Sequence, residues 1–192
     1  PARPPAGRPP APHPVTATLS GAYTGSATAT VTVAGGYGRS VAGSGYLRGG
    51  ATAGGYPLDD DRRIEVTLDG RINNGKKLVG SAKVGYKSAG KRYKFQSTAL
   101  ESFGVAVGAG EPVADLRYQV TLYDISTAQA PVTVATGLTM RVTATDRGEP
   151  GRRDGIAITV WDGDRLLFSS DWTGASTRES TLTASGGNLT IG

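Results

Sequence analysis

Leu138-Thr139-Met140-Arg141-Val142-Thr143-Ala144-Thr145 alternates apolar and polar side chains without a break. A period of two marks a strand with one buried face, so Leu138, Met140, Val142 and Ala144 are expected inward and Thr139, Arg141, Thr143 and Thr145 outward. The polar run Asp146-Arg147-Gly148-Glu149-Pro150-Gly151-Arg152-Arg153-Asp154-Gly155 follows, rich in residues that reverse a chain. Ile156, Ile158 and Val160 then share one face of a return strand. Asp162-Gly163 suits a tight hairpin because it accepts positive φ. Leu166, Phe168 and Trp172 are expected on one face of a third strand. Three antiparallel strands joined by two readable turns set the architecture for the rest.

Working back from there, Val113–Ile125 places Leu116, Tyr118, Val120 and Leu122 on one face. Arg92–Phe103 carries Tyr93, Phe95 and Ala99 opposite Arg92, Lys94, Gln96 and Thr98. Lys77–Lys87 sets Leu78, Ala82, Val84 and Tyr86 against Lys77, Lys83 and Lys87. Arg62–Leu68 alternates Ile64, Val66 and Leu68 with Arg63, Glu65 and Thr67, and Asn73-Asn74-Gly75 reverses the chain. Gly35–Gly55 reads as a loop with a short strand near Ser44–Arg48, while Ala27–Val33 and Val15–Leu19 read as strands. Leu182 and Gly186–Ile191 close the chain as a short strand. No window shows a convincing helical period. Short alternating strands with Gly-rich turns predict an all-β fold, an antiparallel β-sandwich of the jelly-roll or immunoglobulin-like class. Pro1–Pro14 holds seven prolines and is expected as an extended arm unable to build a ladder. Val15–Gly192 is expected as one sandwich domain.

Composition narrows the functions. Gly makes up 29 of 192 residues and Cys none, so turns dominate and no disulfide or thiolate metal site exists. The one histidine, His13, lies in the Pro-rich arm, which leaves no Ser/His nucleophilic site and no histidine metal cluster. No apolar run reaches the ~20 residues of a membrane-spanning helix. The formal charge is +5, and Lys83, Lys87 and Lys94 form a basic face on adjacent strands. Such a face protects a sheet against edge pairing; it is also a candidate surface for an anionic polymer such as polysaccharide. No recognition motif for nucleic acid accompanies it.

Two further candidates stand out. Trp161 and Trp172 are a candidate sugar-stacking platform, against the plainer expectation that one fills the core and the other covers an edge. Asp146, Glu149 and Asp154 supply hard oxygens of the kind calcium takes, but Arg147, Arg152 and Arg153 among them favour a salt-bridged hairpin loop. No other cofactor is expected.

Four fragments stand together: Leu78-Val79-Gly80 with Lys83; Tyr93-Lys94-Phe95-Gln96-Ser97-Thr98-Ala99-Leu100; Asp146-Arg147-Gly148-Glu149-Pro150-Gly151 with Asp154; and Gly186-Gly187-Asn188-Leu189 with Ile191. Together they resemble a bacterial module, the post-choice-of-anchor domain. The resemblance covers roughly residues 64–192. It implies an extracellular, all-β, non-catalytic accessory module and carries over no catalytic residue. A start at Pro1 rather than Met reads as a processed, secreted chain, extracellular or at the cell surface.

Residues 15–34 lie outside the resemblance. Pro12, Pro14, Val15, Ala17 and Leu19 are the candidate assembly residues: an uncharged terminal strand needs a sheet edge for its backbone groups. The expectation is a structural subunit that polymerises by adding this strand to a neighbour; the alternative is a secreted carbohydrate-binding module.

Overall fold

The computed structural model describes residues 12–19, 25–32, 40–51, 53–73, 77–107, 111–127, 130–148, 153–182 and 187–192. The backbone groups into two compact units, Pro1–Tyr37 and Gly38–Gly192. Val15–Tyr37, expected with the sandwich, groups instead with the arm.

In the first unit β1 (Pro12–Leu19) pairs antiparallel with β2 (Gly25–Thr32), from Pro12↔Thr32 to Leu19↔Gly25. Two expectations change here. Val15–Leu19 is not a lone strand, because β2 of the same chain occupies one of its edges. The ladder also enters the Pro-rich segment. Pro12 and Pro14 allow this because they are two residues apart, so both can turn their missing N–H away from β2.

The second unit is all-β and antiparallel. Its strands are β3 (Ser40–Arg48), β4 (Arg63–Ile72), β5 (Leu78–Ser88), β6 (Lys91–Val107), β7 (Pro112–Asp124), β8 (Val132–Thr145), β9 (Gly155–Asp162), β10 (Arg165–Ser169), β11 (Ser180–Thr181) and β12 (Asn188–Ile191). From β3 to β10 each strand pairs with its neighbour in sequence, and β12 returns to pair with β3. The sheet curls until its ends meet. Ser180–Thr181 pair with Ile156–Gly155 of β9, and the next residue, Leu182, bridges to Leu47 of β3. The stretch after β3 crosses to β10: Gly50 N–H reaches Ser170 O at 2.9 Å and Tyr56 N–H reaches Leu167 O at 2.9 Å.

The inner face carries one apolar cluster. Ile64, Phe95, Leu116, Tyr118, Val120, Leu122, Met140, Ile156, Ile158, Val160 and Phe168 are fully buried in it. Alternation therefore places β4, β5, β7, β8 and β9 as expected. Glycine opens room where the curl is tight. Gly70 pairs with Gly80, and a Cβ on Gly70 would stand 2.6 Å from Leu116.

Four facings differ, Trp172 among them, and a bulge accounts for two. Register shifts between Ser97 and Ala99 and between Leu100 and Ser102 turn Ala99 outward and let Leu100 pack on the core. A shift between Leu166 and Phe168 buries Leu167 and Phe168 together and leaves Leu166 at the boundary. Thr145, expected outward, is buried because its Oγ1 donates to Glu179. The Gly-rich strand also starts earlier than expected, at Ser40. Asn73 closes the β4–β5 hairpin, its N–H reaching Lys77 O at 3.1 Å.

Candidate functional site

The basic face is real and concave. Across the outer surface runs one row of paired residues, Tyr46–Glu65–Gly85–Lys94–Tyr123, contributed by β3 to β7 in order. Four strand spacings separate the two tyrosines, roughly 19 Å. Gly85 forms the low point, since a Cβ there would meet nothing nearer than Glu65 at 3.7 Å. A groove of about 700 Å³ results, with Arg63, Thr67, Lys83, Lys87 and Arg92 on its walls.

The electrostatics of the groove are uneven. Lys87 Nζ lies 3.4 Å from Asp61, and Arg63 lies 3.8 Å from Glu65 and 3.7 Å from the centre of the Tyr46 ring. Lys94 Nζ stands 5.5 Å from the Tyr123 ring centre. Lys83 and Arg92 form no ion pair among the described residues, although Asp61 and Glu65 line the same groove. Lys83, Lys87 and Lys94, named from sequence, thus come together. Sequence reasoning missed Gly85, Tyr46 and Tyr123, whose alignment depends on register across five strands.

Trp161 and Trp172 also come together, with ring centres 6.1 Å apart at 69°. Neither lies in the core. Both are half-buried on the outer face, where Arg141, Thr143, Thr159 and Thr177 line a second hollow of about 330 Å³. Trp172, expected beside Phe168, is drawn out because its N–H bonds to Ala51 O at 3.0 Å. Arg141 is held by a two-pronged contact with Asp115.

No protein-family model, curated protein or solved structure matches this chain.

The third candidate, Asp146 with Asp154, serves the backbone. Asp154 is fully buried; its Oδ1 accepts the N–H of Arg147 at 2.9 Å and its Oδ2 the N–H of Leu189 at 3.1 Å. Asp146 Oδ1 accepts Gly148 N–H, and its Oδ2 accepts Ile191 N–H at 3.0 Å. The aspartate loop and the terminal Asn188–Ile191 strand, two of the fragments behind the family resemblance, are therefore in contact. Arg147 ties the loop further, donating to Arg153 O at 2.8 Å and pairing with Glu111 and Glu179. Glu149 lies outside the described residues. Among those described, no three acidic, histidine or cysteine side chains are arranged to hold a metal.

The candidate assembly residues Pro12, Pro14, Val15, Ala17 and Leu19 all fall on β1. No helix among the described residues is long and apolar enough to cross a membrane.

Proposed function

We propose that this chain is a non-catalytic extracellular structural subunit that assembles with copies of itself through its N-terminal strands. The observation that carries the reading is the sheet made by β1 and β2. Among the described residues it has two strands. A two-stranded sheet is marginal in water, and its uncharged strands leave backbone groups to be satisfied. Addition to the sheet of a neighbouring copy supplies both partners and burial. Such a contact joins two different surfaces, so it propagates into a filament unless its rotation closes a ring. The resemblance to the post-choice-of-anchor module supports the extracellular setting. The test is sedimentation of the full chain over a concentration series beside a chain lacking Pro1–Leu19. Large species lost on deletion are expected; a full chain that stays monomeric at every concentration refutes the reading.

A second reading, binding of an anionic polysaccharide, is favoured by the groove over Gly85. Lys83 and Arg92 line it without an ion-pair partner among the described residues, and the cross-strand row through Gly85 ends in Tyr46 and Tyr123, so charge lies beside flat apolar rings. Retention on an immobilised acidic polysaccharide, reversed by salt, is the expected result. Passage unretarded at low ionic strength rejects it.

A further inference from the structure

The ladder between β5 and β6 stops early. Its last pair is Lys83↔Gln96, and beyond it the Ala82 N–H turns to the Ser97 side-chain oxygen at 2.8 Å. Register shifts follow in β6 between Ser97 and Ala99 and between Leu100 and Ser102, and no residue of β6 beyond Gln96 is paired with β5. From Phe103 to Val107 the strand pairs without interruption with Leu116 to Pro112 of β7, but only on that side. Among the described residues nothing bonds to its other edge. Ser102-Phe103-Gly104-Val105-Ala106-Val107 has no charge and no proline. Natural sheets normally blunt such an edge with lysine, proline or a bulge. Phe103 and Val105 point to the core, so Gly104 and Ala106 form the exposed outer face.

The hairpin offers a matching edge. Pro12 pairs with Thr32 and Pro14 with Thr30, and proline has no N–H to exchange. Both must be non-hydrogen-bonded pairs, in which each residue directs its backbone groups away from the partner strand. The outer edge of β1 therefore lacks donors at two alternate positions. By the same parity Thr28, Thr30 and Thr32 direct their N–H groups to the outer edge of β2. One side of the hairpin is blunted; the other has no partner among the described residues, is uncharged and is eight residues long.

We infer that the open edge of β2 in one copy pairs with the Ser102–Val107 edge of β6 in the next. This rests on the self-assembly reading and names both surfaces of the contact. It moves the adding strand from β1, expected from sequence, to β2.

The test uses two full-length variants. Thr30→Pro removes an outward donor from β2 while leaving the bonds to β1 in place. The double variant Gly104→Lys, Ala106→Lys charges the β6 edge, and no atom lies within 4 Å of where a Cβ on Gly104 would stand. Each variant alone should sediment as a monomer where the parent chain assembles. Mixed in equal amounts they should form dimers and nothing larger, because each supplies the surface the other lacks. The dimers would also show that both variants are folded. Variants that assemble like the parent overturn this contact while leaving self-assembly standing. Loss of assembly in the double variant alone means that two β6 edges pair with each other. Two monomeric variants that give no dimers on mixing reject the pairing, and a parent chain that never assembles sinks both readings.

Discussion

The Asp154 carboxylate accepts the backbone N–H of Leu189, 35 residues further along the chain, at 3.1 Å. Its other oxygen holds Arg147 and its backbone carbonyl accepts Leu182 N–H at 2.8 Å. One buried residue thus fastens a loop and two returning segments. Asp154→Ala leaves buried donors without an acceptor and should lower stability by about 2–5 kcal/mol. Asp154→Asn keeps one carbonyl acceptor and should cost less. Urea unfolding of both variants measures the difference; equal losses would show that the carboxylate is not the fastening group.

Two buried tyrosines make an opposed pair. Tyr118 donates to Asp69 O at 2.6 Å, whereas the buried Tyr86 hydroxyl has no partner among the described residues. Burial raises the pKa of both above the usual phenol value. Tyr118→Phe should cost about 1–2 kcal/mol through the orphaned carbonyl, and Tyr86→Phe should be neutral or stabilising. Thermal midpoints of the two variants should move apart; a matching fall in both would contradict the assignment.

Val142, Ile158 and Phe168 are buried on the inner face, while Thr143 and Thr159 lie outward. Truncating any of the first three to Ala should cost roughly 2–5 kcal/mol, and the threonines far less. Comparable losses in the two sets would require a shifted register, since a slip of one residue inverts every face.

Gly85 sits beneath the groove with room for a side chain. Gly85→Trp should fill the hollow, leave the fold intact and weaken retention on an acidic polysaccharide at least tenfold, about 1.4 kcal/mol. Replacing Lys83 and Arg92 by Ala should weaken it too and flatten its salt dependence. Unchanged retention in both variants would move the binding surface elsewhere.

Asp124 provides a check by pH. Hydrogen bonds from Ser126, then the neighbouring Lys91 ammonium, lower its pKa to about 2. A depressed carboxylate favours the folded state above its unfolded pKa of ~3.9, and that contribution fades as pH falls toward 2. A carboxyl titration followed by NMR should show a midpoint near 2 for Asp124; a midpoint near 4 would mean these bonds do not form in solution.

Much of this architecture was legible because period-two alternation reports burial directly. Leu116, Tyr118, Val120 and Leu122 needed no more than that, and all four are fully buried. Alternation fails where the backbone skips a step, so Ala99, Leu166 and Thr145 were misplaced: bulges and a distant Glu179 decide them. The Gly-rich stretch after Arg48 looked like a loop, and its reason lies in another strand. A Cβ on Gly54 would stand 2.4 Å from Leu167 O. The lysines of the groove could be named from sequence, but not its floor or its tyrosines, which only cross-strand register aligns. The aspartate loop read as a salt-bridged hairpin, yet Asp146 and Asp154 accept backbone N–H groups, because sequence shows charge and hides which backbone groups will need it.

The pairing of β3 with β12 sets a timetable. Ser40 and Gly192 bond to each other across 152 residues of chain. As the polypeptide emerges from the ribosome or a translocon, β3 and β4 can meet at once, but the far edge of β3 must wait for almost everything that follows. Closing so long a loop is slow, since its entropic cost precedes any reward from contact. During that interval the open flank of β3 is a template for the wrong strand. Gly43 and Gly45 sit on this strand, where Leu189 and Leu182 finally lodge. A strand so thinly furnished with side chains holds an intruder weakly until its own partner arrives.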